Sequence, residues 1–261
     1  MAVTMEWDPQ QYLSFGDHRL RPFVELLQRF QVASPTHVVD LGCGPGNATA
    51  LLHTKWPEAT VLGLDDSPEM IEKAKALEVL GRLSFELGDL GAFRPAEKVD
   101  VLISNATFQW VPGHRDLFPR FISMLNPGGT FGFQVPGMHE LPSHLLQYEL
   151  ARTVPYADKL ASQIRLNSID PTSSYIETLC ALGCEVDAWE TTYFQVLQGD
   201  DAVLEWTKGS SLRPFTGVLD ADEAADFVER YRLLLAEAYP QGPDGTIYPF
   251  RRVFVVAHLR P

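Results

Sequence analysis

The 261-residue sequence predicts an α/β protein in which helices cover both faces of a mostly parallel sheet. Two observations lead to this prediction. Short, buried strand patterns alternate with helical patterns through the first half of the chain, and a glycine-rich loop joins the first strand to the next helix. Because 45% of the residues are hydrophobic, the chain can bury a sizeable core. We therefore expect one doubly wound domain over residues 1–261.

The first half of the chain supplies five strands and the helices between them. A helical segment is expected up to about residue 30, and it enters its helix through Pro22. Another helix starts at Ser67, because serine can cap the helix, Pro68 suits its first turn and Glu69 complements its positive end. The remaining helices are expected after Gly46 and from about Leu117 to Leu125. The expected strands are Val38–Leu41, Thr60–Leu64, Leu83–Leu87, Val99–Ile103 and Thr130–Gln134.

The second half is less regular. Beyond Val135 the pattern loosens into an insert that reaches about Ile169. A helix then begins near Asp170-Pro171-Thr172 and stops at Gly183. The sixth strand is expected at Glu185–Phe194 and the last strand at Arg252–His258. Two helices lie between them, at about 201–208 and 221–239.

Composition excludes several classes of function. A formal net charge of -13 opposes binding to nucleic acid, and no apolar run approaches the roughly 20 residues that a membrane span requires. The three cysteines form no CxxC pair, which disfavours a disulfide scaffold or a zinc site. We expect a soluble cytoplasmic protein that acts on a small molecule, without nucleic acid, membrane or an obligate protein partner.

The glycine loop indicates a nucleotide-type ligand. Gly42, Gly44 and Gly46 lack Cβ atoms, so the backbone can approach a ligand at the start of a helix, where N–H groups are free. Asn47 occupies the position of the third glycine in a dinucleotide-binding loop, which disfavours NAD. Asp40 precedes the glycines, where a carboxylate suits the ammonium of a methionine group better than a pyrophosphate.

Three further strand ends carry polar residues. Asp65, or Asp66 in its place, can accept both hydroxyls of a ribose, and Asp89 with Leu90 suits an adenine amino group and ring face. Asn105 lies in a polar tip after the fourth strand. A single strand-end aspartate is more often a cap or turn residue, and a glycine loop can simply turn the chain. The conjunction, in this order and spacing, instead favours S-adenosyl-L-methionine in a class I methyltransferase.

Longer motifs are spread along nearly the whole chain. They are Tyr12-Leu13-Ser14-Phe15, Arg19 to Leu27, Asp40 to Asn47, Asp65 to Met70, Ser104-Asn105-Ala106, Gln109 to Pro112, Gly183 to Asp187, Thr191-Thr192-Tyr193 and Leu212-Arg213-Pro214. Together they resemble the trans-aconitate 2-methyltransferases, and the match runs from about Trp7 to His258. The resemblance implies a Rossmann-like, seven-stranded sheet with an antiparallel last strand. In such a sheet the connection between strands six and seven starts and ends at the cofactor edge, so we expect it to form a helical lid over the substrate, at about 195–250. The resemblance also implies methyl transfer to a carboxylate of trans-aconitate, giving the monomethyl ester.

A tricarboxylate substrate needs cationic donors, and arginine supplies a fixed bidentate geometry. Our candidates here are Arg213, inside the connection between the last two strands, and Arg252, where that connection returns to the sheet. The remaining candidates are Arg19, Tyr12 and His18 in the N-terminal segment and Gln109 and Trp110 after the fourth strand. Each arginine could equally be a solvated surface group, and His18 a loop residue. The acceptor carboxylate is already ionised at neutral pH, so we expect catalysis by positioning, with no catalytic base and no metal.

Two other functions fit the same sequence features. A methyltransferase on this fold could act on another small carboxylic acid or on an acyl-chain carboxylate, because the same cofactor half serves many acceptors. A carrier-protein substrate would call for a basic docking face, which the net charge of -13 makes harder to build. An idle protein that binds cofactor without turnover is the non-enzyme alternative. The intact acids Asp40, Asp65 and Asp89, with Asn105, disfavour it.

Overall fold

The computed structural model describes residues 20–137, 140–164, 169–208 and 211–261. The candidates Tyr12, His18 and Arg19 lie outside the described residues. The chain forms two compact units. The first takes in the described parts of 1–135, 169–190 and 253–261, and the second those of 136–168 and 191–252.

A seven-stranded sheet is the frame of the fold, with strand order β3-β2-β1-β4-β5-β7-β6. The strands are β1 (His37–Leu41), β2 (Thr60–Asp65), β3 (Leu83–Leu87), β4 (Val99–Asn105), β5 (Leu125–Pro136), β6 (Cys184–Leu197) and β7 (Thr246–Leu259). Strands β1 to β5 are parallel. Strand β7 runs antiparallel to β5, since the Thr130 hydroxyl bonds the His258 ring at 2.9 Å and the Gly137 amide donates to the Arg251 carbonyl at 2.9 Å. The predicted fold class is confirmed.

Helices fill the connections between the strands. They are α1 (Arg21–Gln28), α2 (Asn47–Lys55), α3 (Pro68–Ala74), α4 (Phe118–Ser123), α5 (Pro142–Ala151), α6 (Ala157–Leu160), α7 (Thr172–Ala181), α8 (Ala202–Lys208), α9 (Arg213–Thr216) and α10 (Ala221–Ala238). The predicted capping at Ser67 is present, because its hydroxyl accepts the Met70 amide. Helix α10 begins with a capping box between Asp220 and Glu223, which satisfies two free N–H groups at its start.

Strand β5 begins earlier than predicted. The sequence pattern placed its start at Thr130, whereas the structure pairs Leu125 with Val99 before the register shifts, and Thr130 then pairs with Val101. The intervening Asn-Pro-Gly-Gly turn is taken up as an irregularity within the strand, with Gly128 at φ 76°. The turn residues therefore mark an irregularity within the strand rather than the boundary between helix and strand.

The core of the first unit is rich in aromatic side chains. Phe108, Phe118, Phe131 and Phe133 are fully buried, and their ring centroids lie 5.2–6.1 Å apart in tilted or edge-on pairs. Such pairs add about 0.5–1.5 kcal/mol each beyond the burial of apolar area. This packing fixes the loop after β4, because Phe108 belongs to that loop.

The second unit has a core of its own. Tyr156 packs edge-on against Phe227 with centroids 5.0 Å apart, and Tyr231 donates to the Ser143 carbonyl at 2.6 Å. Helices α5 and α6 lie in the region whose sequence pattern was too loose to predict them. Their apolar faces contribute to this core with those of α8, α9 and α10. No described helix is both long enough and apolar enough to cross a membrane.

Candidate functional site

A cavity of about 760 Å³ opens at the carboxyl ends of strands β1 to β4, and all its lining residues belong to the first unit. Its volume falls within the range of roughly 300–1,000 Å³ that is typical of small-molecule sites. Strand ends meet here because parallel strands share one edge of the sheet. Nine predicted site residues line the cavity: Asp40, Gly42, Gly44, Asp65, Asp66, Asp89, Leu90, Asn105 and Trp110.

The glycine loop takes a shape that side chains would block. Gly42 adopts φ 77°, and a Cβ there would lie 2.2 Å from the Thr107 hydroxyl oxygen. The Gly42 and Cys43 amides both donate to the Leu64 carbonyl, at 2.7 and 2.9 Å. Gly46 is not among the lining residues. It precedes α2 at φ 85°, where a Cβ would lie 2.8 Å from the Phe85 ring, so its lack of a side chain allows close packing.

Asp65 organises the loop that surrounds it. One carboxylate oxygen accepts the Gly44 amide at 2.9 Å, and the other accepts the Ser67 amide at 3.0 Å. Each carboxylate oxygen has two acceptor positions. Each oxygen therefore keeps one position for a ligand, while the two amides fix the orientation of the carboxylate.

Asp40 is a fully buried acid in this site. Its Oδ2 accepts the Thr49 hydroxyl at 2.7 Å, while Oδ1 has no hydrogen-bond partner among the described residues. Burial raises the pKa of Asp40 from its ordinary value near 3.8 to about 7, the Thr49 hydrogen bond lowers it, and the charge of Asp65 raises it again. Burial also raises the pKa of the neighbouring Cys43 thiol, so this thiol is held neutral. A buried carboxylate oxygen with no donor fits a cationic ligand group.

The end of β3 forms a tight turn. Asp89 Oδ1 accepts the Ala92 amide at 2.9 Å, so this acid also serves the turn role that a strand-end aspartate commonly takes. The Leu90 carbonyl accepts the Arg120 guanidinium at 3.3 Å. Both Asp89 and Leu90 line the cavity, and the turn holds them in place.

The loop after β4 is held in an uncommon conformation. Ala106 adopts φ 55° although it is not glycine, and its amide donates to the Gln134 carbonyl at 2.9 Å. The Gln109 side chain donates to the Ala106 carbonyl, and that of Gln134 donates to the Asn105 side-chain oxygen. Trp110 lines the cavity and is 47% exposed, whereas Gln109 is buried and is not among the lining residues.

The candidate arginines Arg213 and Arg252 belong to the second unit. Arg213 is exposed at the first position of α9. Arg252 is 7% exposed, and its guanidinium carbon lies 4.4 Å from the centroid of the Phe250 ring. Burial lowers the pKa of Arg252 to about 10, which the nearby Tyr193 partly counteracts.

Several residues of the site were not predicted. Met70 lines the cavity from the first turn of α3, and Thr107 lies against Gly42. The capping signal at Ser67 fixes the phase of α3 and could have identified Met70. No sequence pattern around Thr49 identifies it as part of the site, because its hydrogen bond to Asp40 joins helix α2 to strand β1, nine residues apart in the chain.

Comparison with known proteins identifies the family. A family model described as a methyltransferase domain matches residues 33–179. A trans-aconitate 2-methyltransferase from Streptomyces avermitilis is 49% identical, with 98% of each chain covered. A protein of the same name from Methylobacterium nodulans is 46% identical, covering 97% of this chain and 98% of its own. The chain belongs to the trans-aconitate 2-methyltransferase family.

Solved structures agree with the fold of this methyltransferase. The YcgJ protein from Bacillus subtilis matches with a TM-score of 0.60 at 16% identity, covering 92% of this chain and 98% of its own. A methyltransferase from Thiobacillus denitrificans, solved with S-adenosylhomocysteine, matches with a TM-score of 0.57 at 17% identity, covering 98% of this chain and 100% of its own. At this level of identity the two structures support the fold alone.

Proposed function

We propose that the protein is an S-adenosylmethionine-dependent O-methyltransferase that forms the monomethyl ester of trans-aconitate. The observation that carries this proposal is the family: relatives named trans-aconitate 2-methyltransferase match nearly the whole chain at 46–49% identity. The cavity at the sheet edge supports it, because its acids lie at neighbouring strand ends and one of them, Asp40, is a buried carboxylate whose Oδ1 has no donor among the described residues.

The lining residues suit the three parts of this cofactor. Asp40 would accept the ammonium of the methionine group, Asp65 the ribose hydroxyls and Asp89 the adenine amino group, with Leu90 against the ring. Asp66 stays the alternative to Asp65, and Asn105 faces the same cavity. The glycine loop gives the backbone its close approach. When bound, S-adenosylmethionine supplies a methyl group on a positively charged sulfonium.

The chain needs no general base for this reaction, because a carboxylate acceptor is already ionised at neutral pH. Its task is to hold one carboxylate oxygen in line with the methyl group and to exclude water. We assign the binding of the other carboxylates to Arg213 and Arg252, with Tyr12, His18 and Arg19 as further candidates. Gln109 and Trp110 shape the loop beside the transfer site. The segment at about 195–250 is proposed as a lid over the substrate.

The most direct test of this function incubates the purified protein with methyl-labelled S-adenosylmethionine and a panel of acceptors. We expect label in a base-labile ester of trans-aconitate and much less in monocarboxylates or amines. Preferential labelling of an acyl-chain carboxylate would favour the alternative substrate class. Cofactor binding without label in any acceptor would favour the idle binding protein. A location in the cytoplasm and independence from nucleic acid, membranes and protein partners remain predictions, and the three free cysteines agree with a reducing compartment.

Replacing Arg213 with alanine should raise the KM for trans-aconitate about 10- to 100-fold, because a charge-assisted hydrogen bond contributes roughly 1.5–3 kcal/mol. The KM for the cofactor should stay within about twofold of that of the unmodified protein. Steady-state kinetics with each substrate varied in turn measures both constants. The matched control is Arg152→Ala, which removes another exposed arginine of the second unit. Equal small effects of Arg213→Ala and Arg152→Ala would remove Arg213 from the substrate site.

A further inference from the structure

A buried hydrogen bond lies beneath the cavity, between the first turn of α2 and strand β1. Thr49 is 0% exposed and is the third residue of α2, and its hydroxyl donates to Asp40 Oδ2 at 2.7 Å. An ionised carboxylate can only accept hydrogen bonds, so a hydroxyl donor favours the charged form of Asp40. The other oxygen, Oδ1, is buried with no donor among the described residues.

We propose that Thr49 is a positioning residue for cofactor binding. By donating to Oδ2, Thr49 favours the ionised form of the Asp40 carboxylate, holds it in one orientation and leaves Oδ1 to accept the ammonium of the cofactor's amino acid group. This inference rests on the proposed function, because it takes S-adenosylmethionine as the ligand. It adds a buried residue that is not among the lining residues of the cavity.

The residues around Asp40 make the Thr49 hydroxyl important for its ionisation. In the sheet, Asp40 pairs with Gly63 of β2 and Ile103 of β4, neither of which carries a charge or a side-chain donor. Among the described residues, the charged group that acts on Asp40 is Asp65, which disfavours ionisation, and the adjacent Cys43 thiol is neutral. The Thr49 hydroxyl therefore opposes both burial and the negative charge of Asp65. The positive charge of the cofactor's ammonium then neutralises the negative charge of Asp40.

The same geometry predicts how affinity depends on pH. The ammonium binds the ionised form of Asp40, and burial raises the pKa of Asp40 to about 7. Below that pH the folded protein holds a proton on the carboxylate, which must leave before the cofactor binds. Removing the Thr49 donor raises this pKa further, by about one unit for a charge-assisted bond. The resulting loss of affinity is then largest at acidic pH, where the protonated form dominates.

The test is a calorimetric titration with S-adenosylmethionine at pH 6, 7 and 8 for the unmodified protein, Thr49→Val and Thr49→Ser. We expect Thr49→Val to bind about tenfold more weakly at pH 6 and about twofold more weakly at pH 8, from a pKa shift of about one unit. Thr49→Ser keeps the hydroxyl and should restore the original profile. Comparing variants at each pH cancels the titration of the ligand's own amine. A loss of equal size at every pH would indicate a purely structural role and overturn the proposal.

Two controls separate the hydrogen bond to Asp40 from a general disturbance of helix α2 or of the cavity. Thr54→Val removes a hydroxyl from the same helix, where it is exposed and donates to the Ala50 carbonyl at 3.0 Å, and it should leave binding unchanged. The ligand 5′-methylthioadenosine lacks the amino acid group, so its affinity should not respond to Thr49→Val. An equal loss for this ligand would overturn the proposal.

Circular dichroism first establishes that each variant is folded, and Thr49→Ala carries the same expectation should Thr49→Val not fold. An unmodified protein that binds no S-adenosylmethionine would contradict the proposed function itself. Normal binding by Thr49→Val at pH 6 would contradict the Thr49 inference alone.

Discussion

Replacing Gly42 with alanine is expected to abolish measurable cofactor binding and to destabilise the protein by about 2–5 kcal/mol. Two effects add up at this position. Gly42 has φ 77°, which disfavours any residue with a Cβ, and that Cβ would lie 2.2 Å from the Thr107 hydroxyl oxygen and 2.7 Å from its Cβ. The loop must shift to relieve the clash, and the amides that donate to Leu64 shift with it. Denaturant unfolding and calorimetry measure the two losses.

The control is Gly128→Ala, because Gly128 has nearly the same φ, 76°, and a Cβ there would meet no described residue within 4 Å apart from its two chain neighbours. Alanine at Gly128 has the same cost of about 1–2 kcal/mol for a positive φ but no clash with a side chain such as that of Thr107. Gly128 is not among the residues that line the cavity. Gly128→Ala should therefore lose modest stability and retain its affinity for the cofactor. In the Gly42→Ala background, Thr107→Gly should recover part of the stability. Equal effects of Gly42→Ala and Gly128→Ala on affinity would show that contact with Thr107 does not shape the loop.

Replacing Asp65 with alanine should weaken S-adenosylmethionine binding by about 100-fold or more while the fold is retained. The substitution removes the acceptor for the ribose hydroxyls and releases the Gly44 and Ser67 amides, which it holds at 2.9 and 3.0 Å. Each charge-assisted hydrogen bond contributes about 1.5–3 kcal/mol. Calorimetry measures the affinity, and circular dichroism checks the fold.

Asp66→Ala is the matched control for Asp65→Ala. Asp66 is the next acid in the chain and also lines the cavity, but it is exposed. We expect Asp66→Ala to weaken S-adenosylmethionine binding only slightly. Unchanged affinity in Asp65→Ala would remove the ribose assignment, and a large loss in Asp66→Ala would transfer that assignment to Asp66.

The sequence predicted the sheet well because buried parallel strands leave a strong local signal. The runs at Val38–Leu41 and Thr60–Leu64 are apolar, short and bounded by turn residues, and both are strands in the structure. Long-range pairing was harder to predict. The start of β5 at Leu125 depends on pairing with Val99, which no local pattern around the Asn-Pro-Gly-Gly turn reveals. Helices α5 and α6 escaped prediction for a similar reason, because their burial depends on partners some 70 residues further along the chain, as in the Tyr156–Phe227 pair.

The candidate site was predictable where topology alone brings residues together. Strand ends in a parallel sheet share an edge, so Asp40, Asp65 and Asp89 were expected to meet, and the cavity lining contains all three. Contacts between side chains were not predictable. Packing between elements brings Thr107 so close to position 42 that only glycine fits there, and it also allows the hydrogen bond from Thr49 to Asp40. The substrate side was the least predictable, since a single arginine such as Arg213 has no periodic pattern.

The buried carboxylate of Asp40 lowers the stability of the ligand-free protein while serving the proposed binding of the cofactor. Between pH 3.8 and about 7 the unfolded chain releases the Asp40 proton while the folded chain retains it, so the ligand-free fold loses stability as the pH rises. A neutral side chain at this position would relieve that cost and remove the proposed partner of the cofactor's ammonium. Selection for heat resistance alone would favour its loss, whereas selection for turnover retains it. In a cell, bound cofactor would stabilise the enzyme against this cost, and depletion of the cofactor would remove that stabilisation.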